Sequence, residues 1–451
     1  MQLSVSNLGV IKEANVDLSK ALNIFCGQNN TGKTYLSYII YALSKKIHYR
    51  HMTFNSLASL SENEEVTFTL NIDKMVELID YTINTTKRNF NTIFGLSEDQ
   101  AKALFEKTDV TLNYSNSDLS RLVFEAEVSD KIVANSTVIS FSKEAETYDV
   151  KVKLIESERK NMAELIDLFI VPEIYKYFAF YPLKGCYILP VERNSIYTFS
   201  KELSISRNNL VDQLQNGGDF NPIDLLFNST NRYPLAISDG LNVANDLANL
   251  QKRKSAFLEL AEEIELDLLN GKLSITDKGE TVFASNKSKT KKLPIHMTAS
   301  IIKTLSSLIF YLKHLAKKGD MIIIDEPEMN LHPDNQIILT RLFAKLMRNG
   351  FRLLISTHSD YIIREFNNLI MLNSTSVEQS ADIEELGYGL EERIDPDDVA
   401  CYFFKFKKAN SRQIEVEALP IDKTGVAIPT IDDTVDKQNL CAEELSYLIV
   451  D

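Results

Sequence analysis

Apolar residues change period several times along the 451-residue chain, and each change marks an expected element. Near the start, Gln2 to Val5, Ala14 to Leu18 and Leu22 to Cys26 read as strands, with Asn7-Leu8-Gly9 as a turn. Leu36, Ile39, Ile40 and Leu43 then fall at helical spacing, with Lys45 and Lys46 at the C-terminal end where cations suit the dipole. From about 52 to 185 the pattern is different. Val66, Phe68, Leu70 and Ile72 alternate with polar residues, as do Leu122 to Val128 and Tyr148 to Leu154. These predict half-buried strands of an antiparallel sheet, with helical patches around 73 to 90 and 97 to 107. This stretch either meets a partner or completes the core. Tyr187 to Arg193 predicts a strand stopping at a charged pair, Glu192-Arg193.

Residues 194 to 270 read as mainly helical, with a loop-rich middle (Gln215 to Tyr233) and an apolar stripe from Val243 through Leu268. That stripe is too short for a coiled-coil arm. A helix from 298 to 318 opens at Thr298-Ala299-Ser300 and closes at Lys317-Lys318-Gly319. Met321 to Ile324 is a continuous apolar run, the mark of a central strand buried on both faces. A helix over 334 to 348 follows, then buried strands over Arg352 to Ser356 and Leu369 to Leu372. A hairpin spans Cys401 to Phe406 and Ile414 to Ala418, and the acidic tail packs as a short helix.

Two polar stretches carry the candidate chemistry. Gly27-Gln28-Asn29-Asn30-Thr31-Gly32-Lys33-Thr34 stands between an apolar strand and a helix, the context of a phosphate-binding loop. Its glycines let several N–H groups turn towards one anion, beside the positive end of the following helix. Lys33 is placed to reach the β and γ phosphates of a nucleotide, and the Thr34 hydroxyl to ligate Mg²⁺. The second stretch is the strand end Asp325-Glu326. Asp325 is the expected Mg²⁺ partner and Glu326 the expected general base towards the attacking water. His358, in Ser356-Thr357-His358-Ser359, is expected at the γ phosphate, and His332 in a loop-shaping role with a contact to a neighbouring subunit.

Net charge of −14 excludes a uniformly basic DNA-coating surface but leaves room for a local basic groove. Lys287, Lys289, Lys291 and Lys292 form one short basic run, either a phosphate contact or a solvated hairpin turn. The four cysteines (Cys26, Cys186, Cys401, Cys441) are scattered, which fits reduced thiols in a cytoplasmic protein. No signal peptide is evident, and no run of about 18 apolar residues offers a membrane span.

In this order, Gly27 to Thr34, Asp325-Glu326-Pro327-Glu328-Met329-Asn330-Leu331-His332-Pro333 and Ser356 to Ser359 resemble the ABC-type ATPases. Within them the chain is similar to the soluble SMC/RecF/OLD-like branch, of which Glu-Pro-Glu-x-x-Leu-His-Pro is a hallmark. The resemblance is close over the first 45 or so residues and over roughly 295 to 375. It implies an α/β P-loop ATPase head with a mixed sheet, an antiparallel β-subdomain and a helical insertion. The implied partition is 1–50 with 295–400 as ATPase core, 51–193 as β-subdomain, 194–294 as helical insertion and 401–451 as hairpin and tail.

The resemblance further implies ATP and Mg²⁺ as ligands, and heads that dimerise around two ATP molecules. The helix at Thr298-Ala299-Ser300 takes the place of the signature helix, with Ser300 reaching the opposite γ phosphate, although the Ser-Gly-Gly core of the family signature is absent. Leu189 to Arg193 is similar to a Pro-Ala-Glu-Arg stretch of this branch, which implies a place near the nucleotide for Glu192 and Arg193. The implied role is the ATPase of a bacterial anti-phage or DNA-repair system. The stretch after His358 lacks acidic nuclease motifs, so a separate effector, nuclease or toxin, is the expected partner. DNA-repair action directly on DNA and a slowly hydrolysing scaffold stand as alternatives.

Overall fold

The computed structural model describes residues 1–45, 52, 54, 65–134, 137–156, 170–198, 233–276, 279–287, 292–376, 380–407 and 411–448. The chain begins with β1 (Gln2–Leu8), β2 (Ile11–Asp17), β3 (Leu22–Gly27) and α1 (Lys33–Leu43). Next come β4 (Glu65–Thr69), α2 (Ile72–Arg88), α3 (Phe90–Phe94), α4 (Glu98–Phe105), β5 (Asp109–Asn113) and α5 (Asn116–Glu125). β6 (Val128–Ala134), β7 (Thr137–Lys143), β8 (Asp149–Glu156), α6 (Val171–Ala179) and β9 (Cys186–Leu189) complete the first half. The second half runs through α7 (Leu235–Asn245), α8 (Leu247–Leu250), α9 (Leu258–Ile264), β10 (Gly271–Ile275), β11 (Thr281–Ser285), β12 (Lys292–Pro294) and α10 (Ser300–His314). It ends with β13 (Met321–Asp325), α11 (Pro333–Arg348), β14 (Arg352–Thr357), α12 (Asp360–Asn373), α13 (Ser380–Glu385), β15 (Val399–Phe406), β16 (Ile414–Leu419) and α14 (Pro429–Tyr447).

A nine-stranded sheet in the order β5-β1-β2-β16-β15-β3-β14-β13-β9 organises the fold. From β15 to β9 the strands are parallel, whereas β5, β1 and β2 pair antiparallel. The parallel half is covered on both faces. Phe25, Ile323 and Leu354 enter one core, and their neighbours Ile24, Ile322, Ile324, Leu353 and Ile355 enter the other. Two-sided burial explains why these strands read as unbroken apolar runs. A separate antiparallel sheet, β4-β8-β7-β6, packs on α6, where Phe68 meets Tyr175 and Phe141 meets Phe178, and a three-stranded sheet, β10-β11-β12, is tied to α10 by Lys313 Nζ, which donates to the Leu273 carbonyl at 3.0 Å. The fold class expected from the sequence is therefore the one observed: a P-loop α/β core with a mixed sheet, an antiparallel β-subdomain and a helical insertion.

Several expected elements differ. The alternation Leu122 to Val128 is not one strand. α5 runs to Glu125, with Leu119 and Val123 buried one turn apart and Ser115 capping its N-terminus. Leu369 to Leu372 belongs to α12, whose one broad apolar face (Ile362, Ile363, Phe366, Leu369, Ile370) sets buried residues next to each other in sequence, so that a four-residue piece of it resembles a buried strand. The stripe from Val243 to Leu268 is divided among α7, α8, α9 and a π-turn at Glu265–Leu269. The tail forms a helix of 19 residues, long rather than short, and all its described side chains from Asp436 on are exposed. The basic run lies in the β11–β12 hairpin connection, with Lys289 and Lys291 outside the described residues. The expected loop at Gln215 to Tyr233 also lies outside them, apart from Tyr233.

Candidate functional site

The parallel strands β3, β14 and β13 end side by side, and their C-terminal ends carry the site. The loop after β3 is close-packed at its base. Gly27 has φ +130°, and a Cβ there would stand 2.4 Å from the Phe404 carbonyl oxygen on β15. Asn30 and Gly32 also have positive φ, at +62° and +89°. Gln28, Asn29 and Asn30 form the exposed tip, while Thr31 is buried and donates its hydroxyl to the Gln28 carbonyl at 2.8 Å. Among the described residues, the amides of 29 to 35 find no carbonyl within the chain, the first recorded bond being Leu36 N–H to Gly32 O at 3.2 Å. A cradle of unpaired N–H groups ahead of α1 is what an anion such as a phosphate requires.

Lys33 is 6% exposed, and its Nζ donates to the carbonyls of Gly27 and Gln28, both at 2.9 Å. Burial lowers its pKa, while Asp325 and Glu326 nearby act in the opposite direction. Thr34 Oγ1 donates to Asp325 Oδ2 at 2.7 Å, closing a separation of 291 positions in sequence. Asp325 Oδ1 accepts from the Ser356 hydroxyl on β14. A hydroxyl and a carboxylate in contact, both beside the amide cradle, fit the donor set that Mg²⁺ takes with a nucleotide.

Glu326 adopts φ +48°, and its N–H donates to the Ser356 carbonyl at 2.9 Å. Its side chain is 30% exposed. Partial burial raises its pKa, His358 opposes that shift, and Asp325 and Glu328 add to it. His358 lies beside it, Nδ1 standing 4.0 Å from Glu326 Oε1 and 3.1 Å from Glu328 Oε1. Glu328, 8% exposed, also accepts from the His358 N–H and the Thr357 hydroxyl, each at 2.9 Å. It thereby ties the end of β14 to the turn after β13.

Arg193 ties that turn from the other side. Its guanidinium is 2% exposed and donates to the main-chain oxygens of Asp325 (2.6 Å), Glu326 (2.7 Å) and Pro190 (3.1 Å). Burial pulls its pKa down to about 10, which leaves it charged at neutral pH. The structure thus brings Lys33, Thr34, Asp325, Glu326 and His358 together. Ser300 is exposed as the first residue of α10, behind an Ala299 cap with no capping side chain, and has no recorded bond to the loop. His332 caps α11 through Nδ1, which accepts from the Asp334 N–H at 3.4 Å, and its side chain is 71% exposed. Sequence reasoning gave no role to Ser356 or Glu328, although both stand inside quoted motifs. It placed Arg193 only by resemblance, and a lone arginine after a strand gives no sign that it will bond carbonyls 132 and 133 positions away.

The family profile described as an AAA ATPase domain matches residues 1–363. The chain belongs to that AAA ATPase family. No curated protein matches it. Among solved structures, this AAA ATPase is similar to an SMC head bound to the C-winged helix domain of ScpA, at 12% identity and a TM-score of 0.34, covering 94% of this chain and 98% of that one. It is similar also to the SMC head domain from Thermotoga maritima, at 8% identity and 0.32, covering 93% and 98%. A third is the Smc head with an extended coiled coil, bound to the C-terminal domain of ScpA, derived from Pyrococcus furiosus, at 12% and 0.36, covering 99% and 98%. Overlaps this loose do not locate a function. Among the described residues, no helix is long and apolar enough to cross a membrane.

Proposed function

We propose that this AAA ATPase binds ATP at residues 27–34 and hydrolyses it, and that nucleotide binding drives pairing of two heads. The observation that carries the reading is the 2.7 Å contact between Thr34 and Asp325, with Lys33 and Glu326 on either side. Lys33 Nζ donates to the carbonyls of Gly27 and Gln28. On binding, it turns to the β and γ phosphates, while the amides of 29 to 34 take the phosphate oxygens. Thr34 Oγ1 and Asp325 would hold Mg²⁺, which when bound neutralises phosphate charge. Glu326 accepts the proton of the attacking water, and its raised pKa makes it a stronger base than an ordinary glutamate. His358 reaches the γ phosphate from the end of β14, positioned by Glu328.

The head-pairing step assigns Ser300 to the γ phosphate of the opposite head. Its exposure at an uncapped helix N-terminus supports this. The pairing serves as the switch of a bacterial anti-phage system whose effector, a nuclease or toxin, is a second polypeptide in the cytoplasm. A slow scaffold that sequesters its effector is the second reading, favoured by Thr298-Ala299-Ser300 in place of Ser-Gly-Gly.

The test is Glu326→Gln. ATP affinity stays within about threefold, turnover falls about a thousandfold, and a head dimer accumulates on size-exclusion chromatography with ATP. Wild-type turnover in Glu326→Gln overturns the assignment of the base. Negligible wild-type turnover with tight ATP binding, with and without DNA, selects the scaffold.

A further inference from the structure

A cavity of about 1060 Å³ opens at the opposite end of the sheet from the loop. Its floor is the start of β9 (Gly185, Cys186), the start of β13 (Asp320, Met321) and the last turn of α1 (Leu43, Ser44). The volume lies just above the range usual for small-molecule sites, about 300–1,000 Å³. Aromatic residues line it: Tyr177 stands half-buried on one side, and on another stands Tyr187, backed on one face by the buried Tyr311 with ring centroids 4.2 Å apart. The Tyr177 hydroxyl is buried next to Asp130, and Lys184 Nζ stands 5.1 Å from the ring centroid.

The lining is cationic in a chain whose net charge is −14. Lys131 on β6, Lys184 before β9, Arg253 and Lys254 after α8, and Lys317 after α10 converge on the opening from four separate stretches. Lys131, Arg253, Lys254 and Lys317 are exposed, and no ion pair is recorded for them among the described residues. Some lysines elsewhere sit against a carboxylate, among them Lys74, Lys87 and Lys272, and others, such as Lys102 and Lys437, are exposed without one among the described residues. What marks the rim is that four such cations share one opening. The opening has its own carboxylates, Asp130, Glu173 and Asp320. Asp320 is occupied by the Tyr311 hydroxyl at 2.7 Å and the Lys317 N–H at 3.0 Å, and Asp130 stands 4.0 Å from Lys184 Nζ. Lys176 is likewise engaged, with the carbonyls of Ser44 and Lys45. Glu173 is the one carboxylate of the opening without a partner among the described residues, so four free cations face one free carboxylate and the net free charge is positive.

We propose that this cavity binds a nucleoside phosphate, with the base against the tyrosine wall and the phosphate at the Lys131, Arg253, Lys254 and Lys317 rim. Unpaired cations around an opening attract phosphate, and aromatic walls hold a base. The ligand is either a free nucleotide or the end of a nucleic-acid strand, since both present the same groups. It touches the far ends of the two elements that hold the ATP-site residues: α1 carries Lys33 and Thr34 at its other end, and β13 carries Asp325.

The proposal is tested in the Lys33→Ala protein, where the phosphate loop is disabled, so the outcome is independent of the ATPase reading. Two probes are used, a fluorescent AMP analogue and a 5′-phosphorylated fluorescent oligothymidylate of about ten nucleotides, followed by fluorescence anisotropy. At least one binds, and Lys131→Glu/Lys254→Glu/Lys317→Glu weakens it by about tenfold or more with an unchanged melting temperature. Affinity in the parent protein also falls steeply with added salt. Binding of the AMP analogue identifies a free nucleotide as the ligand, and binding of the oligonucleotide alone identifies a strand end. If neither probe binds up to about 1 mM, or if charge reversal and salt leave the affinity within twofold, the proposal is overturned.

Discussion

The parallel half of the large sheet and the four-stranded antiparallel sheet solve different problems with similar residues. In the parallel half, β3 and β13 are buried at every position and end together at one edge. The polar groups at that edge are each pinned more than once: Asp325 by Thr34 and Ser356, Glu328 by Thr357 and His358, and the turn between them by Arg193. In the antiparallel sheet, burial alternates. Val150 and Val152 on β8 are buried while Lys151 and Lys153 face solvent. Burial on both faces leaves a strand only its ends for chemistry. One-sided burial leaves it a surface.

That contrast gives tests in descending order of effect. Loss of the fixed cation should do most damage after loss of the base. Lys33→Ala is expected to weaken ATP binding by about a hundredfold or more, measured by equilibrium dialysis. An affinity within threefold of wild type would remove Lys33 from the phosphate site.

Arg193→Lys comes next. Lysine keeps the charge but loses the planar fork that reaches two carbonyls at once. Turnover is expected to fall about ten- to a hundredfold, because the Glu326 backbone is no longer held at φ +48°. ATP affinity should stay within about threefold. Equal losses in both would mean that Arg193 supports the fold and not the turn.

The third test is pH. The proposed base, Glu326, has to be deprotonated to accept a proton, and its pKa is raised, chiefly by burial. Turnover should therefore drop on acidification at a pH above the ordinary glutamate range, about 4.3. ATP binding should not follow the same curve. The smallest expected effect lies on the other side of the comparison. Val152→Ala in the antiparallel sheet should cost about 2 kcal/mol of stability, read by denaturant melts. Turnover and ATP affinity should be unchanged, and a change in either would show that the β-subdomain acts on the site.

Legibility in the sequence follows the same division. The loop at Gly27 to Thr34 is legible because its backbone geometry needs glycine and its chemistry is local. Met321 to Asp325 is legible because two-sided burial leaves an unbroken apolar run. α5 and α12 were misread for the opposite reason. A short piece of a helix with a broad apolar face, or a short helix with two buried residues, gives a pattern close to that of a strand. The stripe from Val243 to Leu268 has a helical period, but the period says nothing of the breaks between α7, α8 and α9.

By itself, then, the sequence determined the local parts: which strands are central, where a glycine loop precedes a helix, and which carboxylates stand at a strand end. Tertiary structure alone decided how those parts are held. Thr34 meets Asp325, Arg193 grips the turn at Glu326, and Glu328 anchors His358 across positions far apart in the chain. The physical reason is reach. Backbone preference and periodicity act over a few residues, whereas hydrogen bonds between strand ends form only after the sheet has set their order.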